Sequence, residues 1–398
     1  MRETRYRGKT AHANRLFCRS RPLYAATMSS DPPLLFVPIG RNAARPFGMD
    51  ARERACRLAT NAGLKCAEAP EPGRPMLLAS IRYAWDPAWL KAMRSRPGTM
   101  LTFEGAPVMA HVPADANLAA AAAGIEDHQV VEGYGLLAAE TAELRYAELR
   151  KRERPFVMLL DADDPEPAER AAYDAAYKGV TDVLTLYLWR RPAFYLTRWA
   201  ARARIPPNAV TLVGAMLCLL AFLLFWRAEY WWGVLSGFIF MVLDTVDGKL
   251  ARVTGASSKW GEVFDHGIDL VHPPFWYWAW EHGLAGYGRP LEPVVATMVL
   301  WAIIGGYVAQ RIIEGIFIKR MGLEIHVWRP ADSRFRLITA RRNPNMVILV
   351  AALLFQRPDL GLKLVAWWTI ISLIFHAVRL AQASERAARG QPVTSWLS

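Results

Sequence analysis

Four aspartates stand in a fixed frame: Asp244-Thr-Val-Asp247-Gly248-Lys-Leu-Ala251-Arg252, then eight residues, then Gly261-x3-Asp265-x3-Asp269. The frame lies in apolar, helix-like stretches, where an ionised carboxylate is costly unless a cation lies beside it. Carboxylates at i, i+3 and i, i+4 share one helix face, so two such helices can aim four acids at one spot. Hard oxygen ligands of this kind suit Mg2+ or Mn2+. Two such ions side by side are the usual apparatus for in-line phosphoryl chemistry.

The pattern D-x2-D-G-x2-A-R-x8-G-x3-D-x3-D resembles the signature of the CDP-alcohol phosphotransferases, and every fixed position is matched. That resemblance implies an integral membrane enzyme of phospholipid biosynthesis. It would move a phospho-alcohol from a CDP-alcohol to an acceptor alcohol and release CMP, with two Mg2+ or Mn2+ ions, and it would work as a homodimer. Asp244, Asp247 and Asp265 become metal ligands. Asp269 becomes the general base for the acceptor hydroxyl while touching a metal. Gly248 and Ala251 leave room for a flat base or ribose against the backbone, and Gly261 shares a helix face with Asp265 and Asp269. Arg252 can clamp a diphosphate oxygen or anchor the span at its charged side. Asn208 and Thr211, after Pro207, match the turn that opens the first span in the family. The CDP-alcohol site is thus expected from Asp244, Gly248, Ala251, Arg252, Gly261, Asn208 and Thr211.

For the acceptor, Arg311 and Glu314 stand i, i+3 inside an apolar segment, and charges at that depth are functional candidates. Arg341 and Arg342 with Lys178 could hold an acceptor phosphate, as in family members that use phosphorylated polyols. Topology charge and a helix-stabilising pair are the plainer readings. His272 could line the acceptor pocket or cap a kink before Pro273-Pro274. His266 and His376 read as interfacial or packing residues, and Phe275–Trp280 as an interfacial aromatic belt. Among nearby cations, Arg252, Lys249 and Lys259 are too few to neutralise four acids.

The elements that must position this site fall into two unlike parts. The mean hydropathy is near zero, but residues up to about Arg204 are mixed and charged, whereas Asn208 onward is dominated by apolar runs. The net charge is +12, which raises nucleic acid as a partner. The later basic residues bunch beside apolar spans, as membrane topology requires, so no nucleic acid is expected. Cys18, Cys56, Cys66 and Cys218 form no C-x-x-C pair, so neither zinc nor a disulfide frame is expected, and a reducing compartment fits.

Residues 1–31 read as a disordered tail, Arg-rich and without a secretory signal, in which Met28 is an alternative start. Residues 32–150 read as a cytoplasmic α/β domain resembling a worn nucleotidyltransferase, with strands at Leu34–Ile39, Met76–Ser80 and twice within Thr99–Val112, and a helix near 49–62. Its loop Pro38-Ile-Gly-Arg-Asn-Ala holds one glycine, too few for a triphosphate cradle, so docking or support is the expected role. Residues 151–205 read as a charged linker, whose Asp161-Ala-Asp-Asp-Pro165 is a solvated turn, followed by a basic amphipathic juxtamembrane helix.

Residues 206–385 read as an all-α membrane domain of six transmembrane helices, at roughly 208–226, 231–252, 260–280, 294–318, 344–356 and 360–379. Residues 386–398 form a cytoplasmic tail. Charge placement then puts both termini in the cytoplasm of a multi-pass inner-membrane protein, with the acids where the second and third spans meet it. Three other readings remain: an intramembrane prenyltransferase holding Mg2+ on a diphosphate, a catalytically idle membrane scaffold, and a transporter. The first leaves Gly248, Ala251, Arg252 and Gly261 without a reason; the second leaves the four acids without one, and against a transporter the charged positions form a cytoplasm-facing cluster with no counterpart near the outer loops.

Overall fold

The structure, a computed structural model, describes residues 34–144, 153–177 and 179–397. The expectations for the 1–31 tail and for Lys178 lie outside the described residues. The α/β region runs β1 (Leu35–Ile39), α1 (Ala51–Asn61), β2 (Lys65–Cys66), β3 (Met76–Ser80), β4 (Tyr83–Trp85), α2 (Ala88–Arg94), β5 (Thr99–Phe103), β6 (Ala106–Val112), α3 (Leu118–Glu126) and β7 (Gly135–Ala138). The main sheet has the order β2-β1-β3-β6-β5-β7. β1 pairs parallel with β2 and β3, whereas β6 runs antiparallel to β3 and β5. β1 and β3 are buried along their whole length, as near-continuous apolar runs covered on both faces should be. Asp50 caps α1 by accepting from the N–H groups of Arg52 and Glu53, and Asn117 caps α3 likewise.

Two sequence expectations fail in this region. Cys56 and Cys66 are joined as a disulfide, with Cα atoms 5.4 Å apart. The turn after α1 brings β2 back against the helix, a return that a search for C-x-x-C spacing does not see. Such a bond sits uneasily with a reducing compartment. The stretch read as a linker holds β8 (Val157–Leu159), which pairs antiparallel with β4, and α4 (Glu166–Ala175). Between them Asp161 accepts from the Asp163 N–H in an exposed turn.

The helical region follows with α5 (Arg190–Arg202), α6 (Pro207–Trp226), α7 (Tyr230–Thr254), α8 (Lys259–Gly286), α9 (Pro293–Leu300), α10 (Gly306–Met321), α11 (Pro330–Arg336), α12 (Arg342–Leu354) and α13 (Pro358–Ala388). A five-residue π-helical turn, Trp301–Gly305, joins α9 to α10. Among the described residues three helices are long and apolar enough to cross a membrane: Pro207–Trp226, Pro293–Met321 and Pro358–Ala388; Arg342–Leu354 is apolar but shorter. α6 packs along α7 and α8, and α13 along α10 and α12. α13 is tied to α11 by a two-pronged ion pair, Arg379 Nε and Nη2 to the buried Asp332 at 2.5 and 2.8 Å. The expected aromatic belt is mostly core. Trp276, Tyr277 and Trp280 are buried, with Trp276 donating to the Cys218 carbonyl and Trp280 to that of Pro358; Phe275 and Trp278 face outward.

The two regions meet at a buried joint. Glu169 of α4, fully buried, accepts from the Phe47 N–H at 2.6 Å and pairs with Arg198 at 2.5 Å and Arg202 at 3.4 Å. Arg54 of α1 donates to the Val253 carbonyl near the end of α7. Burial lowers its pKa to about 10, with Asp86 and Glu169 acting in the opposite sense. Gly255 ends α7 at φ +66°, and a Cβ there would lie 2.9–3.0 Å from Arg57; only glycine suits both the turn and that approach. The pairing of α5 arginines with α4 acids (Arg190–Asp174, Arg198–Glu166) changes the picture of a basic surface helix. Much of its charge is matched internally, while Tyr195, Leu196 and Trp199 stay exposed.

Candidate functional site

The four aspartates come from two antiparallel helix ends. Asp244 and Asp247 lie in the last turns of α7, and Asp265 and Asp269 in the first turns of α8, whose N-terminus is capped by Ser258 Oγ accepting from the Gly261 N–H. Asp244, Asp265 and Asp269 line one common cavity. The four differ in exposure, and the difference sorts them. Asp247 is buried, with the Thr211 hydroxyl donating to it at 2.6 Å and the Gly248 N–H at 2.5 Å. Asp244 and Asp265 are half-buried, and Asp269 is the most open, its side chain 45% exposed.

The acids also have a partner that the sequence reading assigned elsewhere. Arg342, at the start of α12, donates from Nη2 to Asp244 Oδ2 at 2.8 Å and from Nη1 to Asp269 Oδ1 at 2.7 Å. Ion pairing by neighbouring bases, set aside above for want of cations, therefore accounts for part of the charge. Lys249 does something different from its expected neutralising role. Its Nζ donates to the Ala176 carbonyl at 2.8 Å and lies 3.4 Å from the centre of the Tyr177 ring.

A cavity of about 560 Å³ opens beside the acids. Asp244, Asp265 and Asp269 supply acidic groups to its lining, and Arg311, Arg336 and Arg341 supply basic ones. Gly248, Arg252 and Arg342 also line it, whereas Asp247, Ala251, Gly261, Asn208, Thr211 and His272 are not part of its lining. Gly248 leaves room for Arg252, whose Nη2 would lie 3.1 Å from an added Cβ. Gly261 has a packing reason: a Cβ there would meet Asn208 Oδ1 at 2.6 Å. Gly261 and Asn208 thus set the approach of α6 to α8. Thr211 sets the orientation of Asp247.

Two of the basic groups are held by one acid. Glu314 accepts from Arg311 at 2.7 Å and from Arg341 at 2.7 and 2.8 Å, and lies 3.1 Å from His326 Nε2. The expected Arg311–Glu314 pair is present, enlarged to a four-residue hub. Arg336 stands beside it with Nε and Nη1 buried and without a hydrogen-bond partner among the described residues. Burial, then the nearby Arg341, lowers the Arg336 pKa to about 9, which still leaves it charged at neutral pH. Glu314, His326 and His376 bring their donor atoms within 4.8 Å of one another. Two guanidiniums already claim that carboxylate, so it is a poor seat for a metal ion.

His272 does not reach the cavity. Its Nδ1 lies 2.6 Å from the Ile268 carbonyl oxygen, and its ring packs edge-on against Phe240 and Trp276. Pro274 removes the donor that would bond the Leu270 carbonyl, and the Tyr307 hydroxyl donates there instead at 2.9 Å. His266 lines the cavity rim, and His376 is buried against Phe335 and His326. Sequence reasoning missed Tyr307, Asp182 and Thr185. For the last pair a signal existed: an Asp followed at i+3 by Thr is a capping pattern.

Residues 204–375 match the family model described as CDP-alcohol phosphatidyltransferase. Among curated proteins, the chain is 36% identical over 118 residues to Cholinephosphotransferase 1 of Gallus gallus, covering 27% of this chain and 34% of that one. It is 38% identical over 80 residues to Phosphatidylinositol phosphate synthase of Streptomyces avermitilis, covering 19% and 33%. The chain thus spans about a third of the length of these two relatives. It is also 27% identical over 195 residues to Archaetidylinositol phosphate synthase of Pyrococcus horikoshii, covering 47% of this chain and 92% of the relative. The likeness to the CDP-alcohol phosphatidyltransferase family thus lies in the helical region of the chain.

Proposed function

We propose that this protein transfers a phospho-alcohol from a CDP-alcohol to an acceptor alcohol in the membrane, releasing CMP, as a step in phospholipid synthesis. The observation that carries this is one cavity whose lining is divided between acids, Asp244, Asp265 and Asp269, and bases, Arg311, Arg336 and Arg341. A reaction between a diphosphate donor and a second, oxygen-bearing substrate needs such a divided site. Arg311, Arg336 and Arg341 favour an acceptor that bears phosphate, in keeping with the two relatives named for inositol phosphate lipids.

The acids fit a divalent cation. Three of the carboxyls line one cavity, two of them, Asp244 and Asp269, already grip a guanidinium, and carboxylate oxygen is the donor that Mg2+ or Mn2+ prefers. Asp244, Asp247, Asp265 and Asp269 are the residues that would hold two such ions, which when bound offset the charge of the donor's diphosphate. The chain's own groups do the rest. Asp269, the most open carboxylate, takes the proton of the acceptor hydroxyl as that oxygen attacks phosphorus and the bond to CMP breaks. Arg252 binds a diphosphate oxygen, and Thr211 keeps Asp247 turned inward.

In this reading all six helical segments cross the membrane. α7 and α8 count as spans because their acids line a cavity rather than face lipid, and the short α12 fits because Arg341 and Arg342 sit at its end. Both termini lie on the cytoplasmic side of the inner membrane, a topology supported by the basic residues clustered between α10 and α12. A homodimer belongs to the same reading, on family resemblance. The α/β region serves as support: its β1 loop is tied down by Asn42, which donates to the Ile81 and Leu160 carbonyls.

The test is to incubate purified protein with Mg2+ and a panel of CDP-alcohols and acceptors, following CMP by mass spectrometry. CMP that appears only with both substrates, and disappears in excess EDTA, is the expected result. Turnover of prenyl diphosphates instead, or full activity in EDTA, would contradict it.

A further inference from the structure

The guanidinium of Arg342 is fixed from every side. Nη1 and Nη2 reach Asp269 and Asp244. Nε donates to Asn343 Oδ1 at 3.0 Å, and the group lies 4.9 Å from the centre of the Phe240 ring. Asn343 is itself clamped. Its Nδ2 donates to Asp182 Oδ1 at 3.0 Å and approaches Thr185 Oγ1 at 3.2 Å, while Asp182 accepts from the Thr185 N–H and hydroxyl. Asp182 and Asn343 are both buried. A frame of three residues, Asp182 and Thr185 before α5 and Asn343 at the start of α12, thus aims one cation at the acids of α7 and α8.

We infer that Arg342 is an internal competitor for the divalent-cation site, held against the carboxylates by Asn343, Asp182 and Thr185, and displaced when the ion binds. This rests on the reading of those acids as cation ligands. The competition follows from the atoms: Asp244 Oδ2 and Asp269 Oδ1 cannot face a divalent ion while each is under 3 Å from a guanidinium nitrogen, because the two positive groups repel at that range. Arg342 also lines the cavity, so its displaced guanidinium remains beside the space where the donor's phosphates belong. It acts as a positioning residue that neutralises two acids, then yields them.

The test is Mn2+ binding to the full-length protein, followed by electron paramagnetic resonance without substrate. Two charge-assisted hydrogen bonds no longer oppose the ion in Arg342→Gln, so binding should tighten roughly 10- to 100-fold. Asn343→Ala keeps the charge but frees the side chain, and should tighten binding by less. It also guards against a fold defect in the first variant. Unchanged or weaker Mn2+ affinity in both variants would overturn the inference while leaving the cation reading intact. Failure of the parent and both variants to bind Mn2+ would overturn the cation reading as well.

Discussion

Asp269→Asn should reduce CMP release by about 10³-fold, within the range ascribed to general acid–base catalysis, while donor binding weakens far less. The substitution keeps an oxygen that can accept from Arg342 Nη1 and keeps the size of the side chain. It removes the negative charge and with it the ability to take a proton. Asp269 is singled out among the acids by access. Asp247 is buried under Thr211, and Asp244 lies deeper with its side chain 16% exposed, whereas that of Asp269 is 45% exposed at the cavity wall. Single-turnover CMP release, measured beside equilibrium binding of the CDP-alcohol, separates the two effects. Wild-type turnover by the purified variant would remove the base from Asp269.

Glu169→Ala should cost stability on the order of 3–5 kcal/mol, the usual consequence of removing one partner of a buried ion pair. The carboxylate is fully buried and serves Arg198, Arg202 and the N–H of the buried Phe47 at once. Its loss leaves the Phe47 N–H and the Arg202 guanidinium without this acceptor, and Arg198 with Glu166 alone, at the joint between the α/β region and α5. Thermal unfolding in detergent should shift down by roughly 5 °C or more, with the α/β region becoming sensitive to protease first. A midpoint within a degree of the parent would show that the joint is not held by this residue. Glu169 is not part of the cavity lining, so turnover at a temperature where the variant remains folded should change little.

Local patterns carried the legible part of the site. The acids repeat at i, i+3 and i, i+4, a spacing that already places them on one helix face, and the structure brings Asp244, Asp265 and Asp269 together. Partners from distant sequence were not legible: Arg342 lies 98 residues from Asp244 and 73 from Asp269, and only tertiary packing decides which acid an arginine meets. Lys249 shows the opposite failure. It is two residues from Asp247, which is 200° around a helix and so on the other face, where it meets Tyr177. The aromatic run 275–280 misled because hydropathy does not separate a ring at an interface from one buried with its N–H bonded to a carbonyl.

In the α/β region the long strands were legible because they are continuous apolar runs. β8 was not, being three residues inside a charged stretch. The Cys56–Cys66 pair depends on how a turn folds back, and spacing alone gives no sign of it. The basic helix α5 read correctly as amphipathic, but the acids of α4 that pair with it lie one element away.

The central claim is that the aspartates of α7 and α8 hold divalent cations. Anomalous scattering from crystals of the Mn2+-loaded protein tests it most directly. The account predicts strong peaks within coordinating distance of Asp244, Asp247, Asp265 and Asp269, with the Arg342 guanidinium withdrawn from Asp244 and Asp269. Mn2+ bound at Glu314, His326 and His376 instead, with the four aspartates bare, would contradict it.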